Sequence, residues 1–136
     1  MSRLQLALNV NDLDASIAFY SHLFGTEPAK TRPGYANFAI TTPPLKLVLI
    51  ENPGSGGSVN HLGVEVADTA TVEAEQERLA ALGHAVIEEK DTTCCYARQD
   101  KFWVQDTPDA ERWEIYTVLD DAPVVDAPAA EATCCV

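Results

Sequence analysis

The sequence predicts an α+β fold, with two βαβββ modules closing into a cupped, pseudo-symmetric barrel. Three observations predict it. The segment "QLALNVND" (5–12) aligns without a gap on "HLGVEVAD" (61–68), pairing Leu6 with Leu62, Leu8 with Val64, Val10 with Val66 and Asp12 with Asp68. Each segment leads into a helical pattern that stops at a glycine. Each helix is followed by three strand-like runs. A repeat that keeps strand, helix and glycine stop in the same order marks a duplicated structural unit.

The elements follow in chain order. Residues 5–12 and 61–68 alternate apolar and other side chains with period two, so each is a strand with one apolar face. "LDASIAFYSHLFG" places Leu13, Ile17, Tyr20 and Phe24 near one helical face, and Gly25 ends the helix. "TATVEAEQERLAALG" is its counterpart, ending at Gly83. Asp12 or Asp14, and Thr69 or Thr71, are the candidate N-caps. The strand runs after the first helix are "EPAKTR", "YANFAI" and "LKLVLIE". Those after the second are "HAVIEEK", a stretch around "KFWVQD", and "WEIYTVL". The modules therefore span 1–51 and 59–119 of one domain, 1–119, joined by a flexible "NPGSGGS" linker at 52–58. From Asp120 onward the chain is an acidic Ala/Pro tail ending in Cys134 and Cys135, a composition that predicts disorder.

A chain of 136 residues is long enough to bury one sizeable core. No run of 18 or more apolar residues exists, which argues against a membrane span. The N-terminal "MSRLQLALNVND" lacks the apolar stretch of a secretory signal, so the expected location is cytoplasmic, where thiols stay reduced. A net charge of −12 argues against nucleic acid and anionic membranes as partners, since both are bound through basic patches.

Alternation also says which side chains look into the cup. With Leu6, Leu8, Val10, Leu62, Val64 and Val66 packed on the helices, Gln5, Ala7, Asn9 and His61, Gly63, Glu65 take the opposite face. Gln5 and His61 are then symmetry mates. In the last strand Glu114 is a carboxylate among apolar neighbours and is expected to face the same cup. A lone buried charge is costly, and a divalent cation offsets that cost. One amide oxygen, one imidazole nitrogen and one carboxylate suit Fe(II), Mn(II), Ni(II) or Co(II), with coordination positions left open. The matching strand of the first module, "LKLVLIE", offers Leu47 and Leu49 in the corresponding region, so no fourth protein ligand is expected.

The stretch "DTTCCYA" (91–97) adds two vicinal thiols, Cys94 and Cys95. Neighbouring cysteines make a poor disulfide, because one peptide link holds their Cα atoms about 3.8 Å apart. Inert packing, redox exchange and ligation of a soft species remain as readings. In a regular strand the two side chains would point to opposite faces, so joint ligation requires a loop or bulge, and "EEKDTTCCYARQDK" has the polar content of a loop.

The two modules, the Gln5/His61 pair and the "WEIYTV" carboxylate resemble the vicinal oxygen chelate superfamily of glyoxalases, bleomycin-resistance proteins and extradiol dioxygenases. The segments "KLVLIENPGSGG", "NHLGVEV" and above all "TTCCYA" resemble the organoarsenical carbon–arsenic lyase (ArsI) family, related to the cadmium-induced CadI proteins. That resemblance covers roughly residues 1–119. It implies a glyoxalase-like fold and a non-haem Fe(II)-dependent dioxygenase, with dioxygen as co-substrate. The reaction implied is cleavage of the carbon–arsenic bond of trivalent organoarsenicals, methylarsonous acid and aromatic arsenicals among them, releasing arsenite and giving arsenic resistance. It places iron on Gln5, His61 and Glu114 and arsenic on Cys94 and Cys95. From their position in the same segment, Tyr96, Lys101 and Trp103 are expected to shape or close the site. A monosubstituted trivalent arsenical has two exchangeable groups, and two thiolates on one segment replace both at high effective concentration. Superfamily members commonly form homodimers. Two alternatives stand beside this reading. One is a non-catalytic thiolate protein that sequesters cadmium or arsenic. The other is a glyoxalase-like isomerase, which would want a second carboxylate where Leu47 and Leu49 stand and leaves the cysteine pair without a role. Cys134 and Cys135 either collect arsenicals or are incidental.

Overall fold

The computed structural model describes residues 2–121, with the backbone alone at Cys94. In chain order the elements are β1 (Arg3–Val10), α1 (Leu13–Phe24), β2 (Lys30–Arg32), β3 (Tyr35–Ile40), β4 (Leu45–Glu51), β5 (Val59–Glu65), α2 (Thr69–Ala81), β6 (Val86–Cys94), β7 (Ala97–Val104) and β8 (Trp113–Asp121). This is βαβββ twice.

Local chemistry sets the helix ends. Asp12 is extended and accepts a hydrogen bond from the Ala15 amide at 3.1 Å, while Gly25 closes α1 in the left-handed region at φ 63°. For α2 the cap is Asp68, not Thr69 or Thr71. Its carboxylate accepts from both the amide and the hydroxyl of Thr71. Thr69 is already helical, and its hydroxyl donates to Asp100 at 2.6 Å.

The eight strands form one sheet in the order β2-β3-β4-β1-β5-β8-β7-β6. The outer strands of each module pair antiparallel, whereas β1 with β4 and β5 with β8 are parallel. The antiparallel pairing of β1 with β5 is the seam between modules. Two four-stranded halves therefore curl around one concave face. The helices cover the convex face. Leu13, Ile17, Tyr20 and Phe24 of α1 pack on Phe38, Leu47 and Leu49, and Val72 of α2 packs with Phe102 and Ile115. Full burial of a large apolar side chain, as at Phe38, Leu49 and Phe102, stabilises the fold by about 1.5–3 kcal/mol.

Four local features differ from the sequence reading. Leu47 and Leu49 belong to the convex core, so Lys46, Val48 and Ile50 are the β4 residues on the cup face. The reason is parity: the apolar run of β4 is buried on both faces, and alternation gives no sign of which side is which. Segment 52–58 is pinned, not flexible. The Gly54 and Gly56 amides donate to Asn11 Oδ1, and the Gly57 and Asn52 amides donate to β1 carbonyls. The predicted strands at "HAVIEEK" and "KFWVQD" extend through 88–101, the stretch read as a loop, into one hairpin, with Cys94 paired to Ala97 across a two-residue turn at Cys95 and Tyr96. Strand β8 runs two residues past Leu119, and Asp121 makes ion pairs with Lys30 and Arg32 on β2. The remainder of the tail, with Cys134 and Cys135, lies outside the described residues.

Candidate functional site

The three central strands of the cup supply Gln5, His61 and Glu114, which are 4, 2 and 2% exposed. Registration brings them together. Gly63 lies opposite Gln5 on one side and opposite Glu114 on the other, and Ala7 lies opposite His61. Gly63 is needed for the close approach, since a Cβ there would stand 3.0 Å from Glu114 Cγ and 3.1 Å from Gln5 Nε2. Glu114 Oε2 lies 2.9 Å from His61 Nε2 and accepts from Gln5 Nε2 at 3.0 Å. The other oxygen, Oε1, accepts from the Lys101 ammonium at 2.7 Å. The Tyr116 hydroxyl donates to Gln5 Oε1 at 2.6 Å.

Electrostatics follow from this packing. Burial pushes the Glu114 carboxyl up, but the Lys101 charge and the His61 contact outweigh it and hold the group well below the usual carboxylate range. Burial, with Glu65 and Glu114 nearby, pushes the Tyr116 phenol well above its ordinary value. Tyr35 is raised to about 12, chiefly by burial. Lys46 is lowered to about 8, again chiefly by burial, with Glu65 too distant at 3.9 Å to restore it.

The donor types suit a divalent metal, provided the Gln5 amide turns its oxygen inward: as it stands Nε2 faces Glu114 and Oε1 accepts from Tyr116. A cavity of about 10 Å³ lies among Gln5, His61, Glu114, Lys101, Val48 and Cys95, room for a single water-sized sphere. His61 Nδ1 is engaged by Asn60 Oδ1 at 2.7 Å, so the ring directs its other nitrogen, Nε2, at a Glu114 carboxylate oxygen. A proton or a cation has to lie between them. Among the described residues no three His, Cys, Asp or Glu side chains lie close enough to hold one metal ion, and the third member of this set is an amide, Gln5.

The predicted cysteine segment reaches the same place. Cys95 lines the cavity and packs beside Ala7, Tyr35, Val48 and Ile50. Cys95 and Tyr96 both have positive φ, 51° and 63°, as a tight two-residue hairpin turn demands. Non-glycine residues pay about 1–2 kcal/mol each for this geometry. The contacts that hold the turn are to the other module. The Tyr96 hydroxyl donates to the Pro33 carbonyl, Lys30 donates to the Tyr96 carbonyl, and the ring lies against Tyr35. Cys95 is disulfide-bonded. This departs from the expectation of reduced thiols.

The signature of the Glyoxalase/Bleomycin resistance protein/Dioxygenase superfamily matches residues 3–115. The chain belongs to this superfamily. Its relatives include the cadmium-induced protein CadI of Mycobacterium tuberculosis, 64% identical over 122 residues, which cover 90% of this chain and 80% of the relative. A trivalent organoarsenical cleaving enzyme of Thermomonospora curvata is 59% identical, with 99% of this chain and 89% of the relative covered. Among solved structures, an extradiol ring-cleaving dioxygenase from B. fuscum superposes with a TM-score of 0.63 at 19% identity, over 88% of this chain and 33% of that one. An Mn(II)-bound glyoxalase from Novosphingobium aromaticivorans gives 0.63 at 20% identity, over 96% and 44%. The superfamily fold is thus shared, with its pseudo-symmetric halves.

Within the superfamily frame, pseudo-symmetry names the mate of Glu114. Ala7 and Gly63 are equivalent, and they lie opposite Val48 and Glu114 respectively. Val48, and neither Leu47 nor Leu49, is therefore the residue that leaves the fourth corner without a donor. Sequence reasoning also missed Lys46, Asn60 and Tyr116. Lys46 carried a signal, as the one charge inside the apolar run 45–50. Asn60 carried none, because its inward turn depends on a bulge.

Proposed function

We propose that this superfamily member is a non-haem Fe(II)-dependent dioxygenase that cleaves the carbon–arsenic bond of trivalent organoarsenicals and releases arsenite, giving arsenic resistance. The observation that carries the reading is the convergence of Cys95 with Gln5, His61 and Glu114 on one small cavity. The relatives named for organoarsenical cleavage, at 59% and 41% identity, support it.

Gln5, His61 and Glu114 would hold the iron, two of them as neutral donors. When bound, Fe(II) supplies the redox chemistry that lets dioxygen react with the substrate. The chain's own residues do the rest. Lys101 keeps Glu114 ionised and occupies the oxygen that faces away from His61. Val48 and Tyr35 exclude water from one side. Cys94 and Cys95, once reduced, exchange onto arsenic and hold the organic substituent beside the metal. The cytoplasm, where thiols are kept reduced, is the compartment this requires. Tyr96 sets the turn that aims Cys95.

A second reading is favoured by the 64% identity to the cadmium-induced relatives: a thiolate protein that binds a soft metal without chemistry. One experiment separates them. The protein is reduced, reconstituted anaerobically with Fe(II) and given methylarsonous acid with and without oxygen, and free arsenite is followed. Arsenite that forms only with both iron and oxygen is the expected outcome. Tight arsenical binding with no arsenite released would establish the sequestration reading instead.

A further inference from the structure

Strand β5 carries a bulge beside the site. Ala7 lies opposite His61 and Leu8 opposite Val59, so Asn60 is the extra residue. Asn60 and His61, consecutive in sequence, are both buried, at 9% and 2% exposure. A regular strand would send one of them to the opposite face, and the bulge re-aims it inward. The result is an amide next to the imidazole.

A run of hydrogen bonds leads from that amide to segment 52–58, and its direction is fixed at the far end. The Ser55 carbonyl can only accept, so the Ser58 hydroxyl, 2.6 Å away, donates its proton to it. Ser58 Oγ is then left as an acceptor, and Asn9 must present its Nδ2 to it, at 2.9 Å. That leaves Asn9 Oδ1 to accept from Asn60 Nδ2 at 3.0 Å, and from Asn52 Nδ2 at 2.9 Å. Asn60 Oδ1 therefore turns to His61 Nδ1, 2.7 Å away, and can only accept. Nδ1 must carry a proton, and Nε2 faces the cavity. No step depends on a choice of amide orientation, because each is forced by the one before it.

We propose that Asn60 is a positioning residue, held by Asn9 and Ser58, that fixes His61 in the tautomer leaving Nε2 as the metal-binding nitrogen. The inference rests on the reading of His61 as a metal ligand. A histidine ligand commonly donates its second N–H to a carboxylate or carbonyl, which sets ring orientation and ligand basicity. Here the device joins the two modules, since Asn9 lies on the strand equivalent to that of Asn60.

The test uses Zn(II), a diamagnetic probe, on the reduced full chain. Nitrogen-15 NMR of the Zn(II)-loaded wild type should show His61 with a slowly exchanging, hydrogen-bonded Nδ1–H. A proton on Nε2 instead would overturn the proposal without any variant. Chelator competition should then show Asn60→Leu binding Zn(II) ten- to a hundredfold more weakly than wild type, whereas Asn60→Asp binds at least as tightly. Wild-type affinity in Asn60→Leu, or weakened binding in Asn60→Asp, would overturn it. If Asn60→Leu does not fold, the wild-type resonance and Asn60→Asp decide. Undiminished Zn(II) binding by His61→Ala would remove the metal reading, and with it the role of Asn60, while the wild-type Nδ1–H signal would still report the hydrogen-bond run.

Discussion

Gly63 is the smallest residue in the site and one of its most constrained. Its missing side chain is what lets Gln5 and Glu114 meet across β5. In Gly63→Ala the new methyl would press on both, with the Glu114 carbonyl also at 3.2 Å. We expect metal affinity to fall about tenfold, the scale on which ligand positioning acts, as measured by chelator competition, with the fold retained by circular dichroism. Lys46 gives a second prediction at this scale. Its folded pKa of about 8 lies below the ordinary 10.5, so between those values the unfolded chain binds the proton and the folded one does not. Stability from this group therefore rises as pH rises through that window, by on the order of 3 kcal/mol. Lys46→Met should be more stable than wild type at pH 7, and the gap should narrow by pH 10. Denaturant titrations at the two pH values check it, and a gap that widens would contradict it.

At the scale of elements, the helices are defined by their ends. Removing the Asp12 carboxylate leaves the Ala15 amide without its acceptor, so Asp12→Ala should cost about 1 kcal/mol and lower Tm by a few degrees. The β6–β7 turn behaves differently. It puts two non-glycine residues at positive φ and is held by contacts to the β2–β3 hairpin. A turn placed this way serves the site, since it brings Cys95 to the cavity wall. Under the proposed function, the disulfide at Cys95 would make arsenical capture dependent on reduction. We expect the oxidised protein to bind no methylarsonous acid, and full binding to return with reductant, as read by mass spectrometry of the arsenic adduct.

For the whole molecule, the fold separates two kinds of interior. The convex side is apolar and supplies stability. Leu49 is fully buried there, and Leu49→Ala should cost about 3 kcal/mol without changing metal affinity, which equilibrium unfolding and chelator competition together check. The concave side is polar and costs stability unless every group is paired. Among the described residues its buried amides, phenols and charges are paired with one another, so the cup is held in one arrangement before any ligand arrives. A homodimer is our proposal for the assembly, and sedimentation velocity reads it directly.

The duplicated βαβββ order, the two glycine-ended helices and the candidate set Gln5, His61 and Glu114 were legible in the sequence. Period-two alternation assigns faces wherever only one face is apolar, and the internal repeat supplies the register between halves. The reading broke down where alternation carries no information. Strand β4 is buried on both sides, so Leu47 and Leu49, read as the cup-facing residues, lie instead on the convex side. The bulge at Asn60 breaks the period itself, and the hairpin at Cys95 and Tyr96 uses backbone angles that their side chains disfavour. The order of segment 52–58 comes from Asn9 and Asn11, more than 40 residues away in sequence. Local pattern thus determined most of the elements and the cup-facing residues of β1, β5 and β8. Only the tertiary structure decided which of them touch, because the bulge, the turn and the amide contacts are set by partners distant in the chain.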